Sequence, residues 1–245
     1  MKAWLVVGLL AMPACAASID FVPIPAGEFV MGNTQFDEAV FELPDGDASL
    51  IQDELPPHRV RISRSFELSR TEITQGQWFD RMRTRPGPAE NWTRRDWRDL
   101  PVVSVSWNDA QRFIATLNRR ERTTRYRLPT EAEWKYAARA GSSDNRPFAA
   151  NELAAYAWYL DNSDDMPHPV GRLPANAWGL HDMLGNAWEW VADRYQPDYY
   201  AVSPETDPQG PSQGERRVRR GGSYHCERHM VRVNYRATVS GDTVN

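Results

Sequence analysis

Eighteen prolines and fifteen glycines, interleaved with Asn and Asp, interrupt this chain so often that no long regular element is expected along it. Proline removes a backbone donor and fixes φ, while Gly, Asn and Asp favour turns. The punctuation therefore predicts many short elements joined by ordered loops. Such a fold must bury its area through large side chains, and ten Trp residues in 245 supply them.

Three helix starts are written in capping chemistry. "TQGQWFDRM" places Thr74 three residues before Gln77, and "SWNDAQRFIATLNRR" places Ser106 before Asp109, followed by apolar Ala110, Phe113, Ile114 and Leu117 at helical spacing. "LPTEAEWKYAARAG" combines Thr130 with Glu133, turns Trp134 and Ala137 or Ala138 inward, and offers Gly141 as terminator. "HRVRISRSFEL" (58–68) alternates like a strand, as do shorter pieces around Val218 and from Val231 to Tyr235. The sum is an α+β chain rich in loops. No repeat or linker divides it, so one domain is expected over residues 18–245.

The formal net charge of −4 argues against a nucleic-acid partner, which requires clustered basic charge. The arginines between Arg119 and Arg127 read as a solvated face. Residues 1–17 of "MKAWLVVGLLAMPACAAS" have the layout of a secretory signal peptide: Lys2, an apolar run from Ala3 to Met12, and small residues for cleavage after Ala16 or Ala17. The run is too short to span a bilayer. An exported product is expected, periplasmic in a Gram-negative cell, and Met12-Pro13 disfavours a lipoprotein anchored through Cys15. With Cys15 removed, Cys226 stands alone and no intramolecular disulfide can form.

Two stretches carry candidate chemistry. In "DMLGNAWEW", Asp182 and Glu189 offer carboxylates while Gly185 and Ala187 offer main-chain carbonyls, a set of hard oxygens that suits Ca²⁺. The alternative is a capped turn with Trp188 and Trp190 in the core. In "RRGGSYHCERHMV", Cys226 lies beside His225 and three residues before His229. Cys226 and His229 could converge on copper or iron if the chain turns at Glu227-Arg228. His225 would point to the opposite face of an extended chain, and His181 could join only through tertiary proximity. The alternative here is an inert buried thiol among structural histidines.

Six phrases in series resemble the formylglycine-generating enzyme family, the sulfatase-modifying-factor domain: "IPAGEFVMG", "HRVRISRSFELSRTEIT", "LPVVSVSWNDAQRF", "YRLPTEAEWKYAARAG", "PHPVGRLPANAWGLHDMLGNAWEW" and "RVRRGGSYHC". The resemblance implies a single loop-rich domain related to C-type lectin-like folds, with a structural calcium at Asp182, Gly185, Ala187 and Glu189. It implies a second calcium site near Asn162, in a segment that is shortened here. It also implies that Ser223, Cys226 and Trp188 match active-site positions. Members that make formylglycine hold copper(I) between two thiolates five residues apart. Here the first position is Cys226 and the second is Val231, which cannot ligate a metal. Members also close with a strand bearing "GFR", where this sequence reads "SGDTVN".

The expected function is an oxidative or tailoring enzyme acting, as a monomer, on a peptide or peptide-derived substrate such as a siderophore precursor. One alternative is a non-catalytic envelope binding or assembly module on the same scaffold. Another is formylglycine generation by a single-cysteine route.

Overall fold

The computed structural model describes residues 18–244, so the expected leader lies outside the described residues. In chain order the elements are β1 (Phe21–Ile24), β2 (Gly27–Met31), α1 (Phe36–Phe41), β3 (His58–Ile62), β4 (Phe66–Ser69) and α2 (Gln75–Met82). There follow α3 (Trp107–Glu121), α4 (Glu131–Arg139), α5 (Leu153–Tyr156), β5 (Glu189–Arg194), β6 (Arg216–Arg220) and β7 (Ala237–Ser240). Short 3₁₀ turns and irregular loops fill the intervals.

All three capping boxes form. The hydroxyls of Thr74, Ser106 and Thr130 each accept the amide three residues on at 3.1 Å, and Gln77, Asp109 and Glu133 accept the cap residue's own amide in return. Donors that a helix start would leave orphaned are thereby satisfied. Helix α4 terminates one residue earlier than its glycine suggests. Ala140 takes the left-handed conformation and donates to Tyr136 O, with Gly141 following at φ 94°.

Strands pair in nested antiparallel fashion, β1 with β4 and β2 with β3, while β5, β6 and β7 form a three-stranded sheet with β6 in the middle. The alternating 58–68 segment is thus two strands in two sheets. Ser63 breaks it, because its amide and hydroxyl both bind the Asp207 carboxylate. Residues 231–234 are bend and 235 is irregular, rather than strand. Val231 and Val233 are fully buried, but the Val233 amide donates to Asn145 O, and Arg232 reaches across to Glu54. Residues 231–234 are all buried, Arg232 and Asn234 included, so the alternating sequence is enclosed on both sides without a strand ladder.

One apolar cluster gathers around Trp134, Leu180, Val191 and Val218; a second centres on Trp78 and Phe113, whose rings stack at 5.3 Å. Helix α4 threads the first cluster and is enclosed on nearly every face, including its polar stripe Glu131, Lys135 and Arg139. Glu131 Oε1 accepts from Arg236 at 2.8 Å and from Arg220 and Tyr200 at 3.1 Å, and Arg232 forks onto Glu54. Burial opposes the Glu131 charge, but Arg236 and Arg220 outweigh it and hold the carboxyl at about 2.

Candidate functional site: a carboxylate loop beside a cysteine cleft

Between α5 and β5 the chain doubles back through left-handed residues at Asp182, Gly185 and Asn186. Glycine is required at 185, because a Cβ there would lie 2.3 Å from Trp158 O. Asn186 is fully buried and spans the turn: its side chain bonds both His168 N and His168 O, and its amide donates to Trp158 O. The Gly185 amide donates to Gly221 O, and the Tyr224 amide donates to Asn186 O. The loop is therefore stitched directly to the "GGSYHC" turn.

Asp182 and Glu189 lie at either end of this loop, and Glu72, from the connection between β4 and α2, joins them. Asp182 Oδ2 accepts from the Gly171 amide at 2.6 Å and Glu189 Oε2 from the Trp134 indole at 2.9 Å. Asp182 Oδ1 and both Glu72 oxygens are buried without a well-formed donor, their nearest polar neighbours being each other's carboxyl and the Asn186 side chain. Burial raises all three carboxyls: Glu189 to about 7, Asp182 upward, and Glu72 well above its usual range, pushed further by the Asp182 and Glu189 charges. Three buried carboxylates without a neighbouring cation fit a divalent ion of hard-oxygen preference. Among the described residues no three His, Cys, Asp or Glu side chains are arranged around a common metal position. Main-chain oxygens, as at Gly185 and Ala187, would have to complete any such site. Sequence reading missed Glu72, which there is an ordinary acid ahead of a helix cap. Asn162 serves a turn, accepting from Tyr159 N and donating to Ala157 O.

On the other side of Ala187 and Trp188 lies a cleft of about 350 Å³. Trp188, Arg219, Ser223, Tyr224, His225 and Cys226 line one part of it, and Val102, Val103 and Val105 another. Cys226 sits in a tight turn, its amide donating to Ser223 O, and its Sγ lies 3.3 Å from Ser223 Oγ. Burial pushes the thiol up, with the Ser223 hydrogen bonds and the Arg219 charge opposing. Arg219 stacks over Trp188 at 4.6 Å. Ser223, Cys226 and Trp188 thus share one cavity.

The histidines divide. His225 lines the cleft, pairs with Asp165 and packs on the Tyr224 ring. His229 is buried in the 3₁₀ turn Arg228–Met230, its Nδ1 3.4 Å from Glu227 and its ring edge-on to Tyr235, and it is not among the cleft-lining residues. His181 Nδ1 bonds Leu173 O on the carboxylate side. Val231 is fully buried in the apolar cluster that also holds Cys226, against Gly222.

A loop-rich α+β domain with a carboxylate loop laced to a cysteine-bearing "GGS" turn defines a formylglycine-generating-enzyme-like protein. The sulfatase-modifying factor enzyme 1-like domain matches residues 10–245, and the chain belongs to that family. It is 42% identical over 164 residues to a formylglycine-generating enzyme of Streptomyces coelicolor, covering 59% of this chain and 50% of that one. The match spans about half the length of that enzyme and of the formylglycine-generating enzyme of Thermomonospora curvata. Its fold is similar to that of PvdO from Pseudomonas aeruginosa, with a TM-score of 0.75, 28% identity and coverage of 91% and 89% of the two chains. Treponema denticola variable protein 1 is also similar, with a TM-score of 0.78, 25% identity and coverage of 95% and 94%.

Proposed function

We propose that this protein is an exported tailoring enzyme whose cleft takes a peptide or peptide-derived substrate and works without a two-thiolate copper site. The observation that carries this reading is the convergence of Cys226, Ser223, Arg219 and Trp188 on one cavity while buried Val231 occupies the second thiol position. The apolar valine wall would receive a side chain of the substrate, and the Ser223 hydroxyl and Arg219 guanidinium would orient its polar groups. A siderophore precursor is the peptide-derived candidate that the family resemblance suggests, and a sulfatase peptide is the comparison substrate. Incubation with candidate peptides, read by oxygen uptake and product mass, tests it. Turnover that is lost in Cys226→Ser supports the reading, and turnover unaltered in that variant refutes a role for the thiol.

A second reading is a binding or assembly module, favoured by the raised thiol, which stays protonated at neutral pH and is a poor nucleophile. Absence of turnover, together with saturable peptide binding in the same cleft, would establish it.

We also infer a structural Ca²⁺ held by the Asp182 and Glu189 carboxylates and the Gly185 and Ala187 carbonyls, with Glu72 adding negative charge beside them. Bound there, the ion supplies the positive charge that three buried carboxylates lack. Its role would be to fix the loop that carries Trp188 and the Asn186 carbonyl.

A further inference from the structure

The enclosed polar stripe of α4 carries more positive than negative charge. Five cationic side chains, Lys135, Arg139, Arg220, Arg232 and Arg236, are buried in the region around it. The fully buried carboxylates among them are already engaged: Glu54 by the Arg232 fork and by Asn33, and Glu131 by Arg236, Arg220 and Tyr200. Asp53 stands at the margin, 3.7 Å from Arg236. Asp193 accepts the Glu131 amide, and burial and the Glu131 charge keep its carboxyl protonated up to about 8.

Lys135 and Arg139 take no carboxylate hydrogen bond, although the charges of Glu54 and Glu131 reach Lys135. They lie one helical turn apart, on the same face of α4, where like charges repel. Lys135 is fully buried and its Nζ has no hydrogen-bond acceptor; it lies 5.5 Å from the Tyr200 ring. Arg139 spends Nη2 on Gly32 O and the Asn234 side chain, and its Nε is buried without an acceptor. Arg220 reaches the Asn234 main chain and Val233 O from the other side, and its Nε is likewise buried without an acceptor. Unpaired buried ammonium and guanidinium donors are costly, and proteins compensate them with a counter-charge.

We propose that Lys135 Nζ, with Arg139 and Arg220 beside it, forms a binding site for a single small monovalent anion of the chloride class, enclosed in the core against α4. A small ion is required because the cysteine cleft does not reach these residues and the Tyr200 and Trp134 rings face Lys135 and Arg220. The ion would be acquired on folding and would act as a structural counter-charge.

Bromide tests the site on the unaltered protein. Crystals grown or soaked in bromide should show an anomalous peak within contact distance of Lys135 Nζ. In solution, exchanging gluconate for chloride at constant ionic strength, from about 5 to about 300 mM, should raise Tm by a few degrees. Lys135→Met, which keeps an unbranched side chain one atom shorter and discards its charge, should abolish the chloride dependence. A water-like peak that bromide never replaces, or a Tm indifferent to chloride in the wild-type protein, overturns the proposal and leaves Lys135 a neutral amine bonded to solvent.

Discussion

Replacing Glu131 by Gln should be among the most damaging conservative changes available to this fold. Gln keeps the shape and one acceptor but removes the charge that Arg236 and Arg220 share with it. Two routes to the magnitude agree. The carboxyl moves from 4.5 to about 2 on folding, which at about 1.36 kcal/mol per unit is a contribution of about 3 kcal/mol. Breaking a buried ion pair by deleting one partner costs roughly 3–5 kcal/mol, because the other charges stay buried and uncompensated. In a chain of this size that lowers Tm by roughly 6–20 °C.

The sign with pH follows from the direction of the shift. Because the folded carboxyl is depressed, its contribution is present above 4.5 and is lost as pH falls toward 2. Urea unfolding followed by Trp fluorescence should therefore show a wide gap between wild type and Glu131→Gln at pH 7, narrowing below pH 4. A gap under about 1 kcal/mol at neutrality would refute the reasoning, as would one that stays constant into acid.

Chelator should lower the wild-type Tm by several degrees and added Ca²⁺ restore it, an effect absent from Asp182→Ala; calorimetry with and without chelator checks this. Val231→Cys should create a second thiol beside Cys226 and take up monovalent copper stoichiometrically, where the wild-type protein takes up none; metal analysis of both proteins decides it. Alkylation of Cys226 at pH 7 should run at least about tenfold slower in the folded protein than in urea, read by mass spectrometry. Trp134→Ala should cost about 3–5 kcal/mol in denaturant titration, since the ring is fully buried in the larger core.

What the sequence disclosed was local. Thr74, Ser106 and Thr130 announce their helices because a cap and its reciprocal acceptor sit three residues apart. Asp182 and Glu189 could be paired for the same reason, lying within one phrase. Glu72 could not, because only the tertiary fold brings the β4–α2 connection to that loop. The 231–235 segment misleads because its polar residues are buried as deeply as its valines: Val231 and Val233 join the apolar cluster while Arg232 is enclosed on Glu54, which periodicity alone reads as a strand with one wet face. Nor could helical periodicity show that Lys135 and Arg139 are inside, since charged residues at that spacing normally mark a solvated face.

The turn that carries Cys226 is fastened by its peptide carbonyls as well as by side chains such as His225 on Asp165 and Val231 in the core. Arg146, itself gripped by Glu42, donates to Arg228 O and Val231 O; Arg232 donates to His229 O; and Leu160 N donates to Cys226 O. None of these carbonyl fastenings depends on which side chains residues 225–231 present. The backbone of the segment is therefore clipped into its frame independently of the thiol, so a change of side chain at 226 leaves these mountings in place.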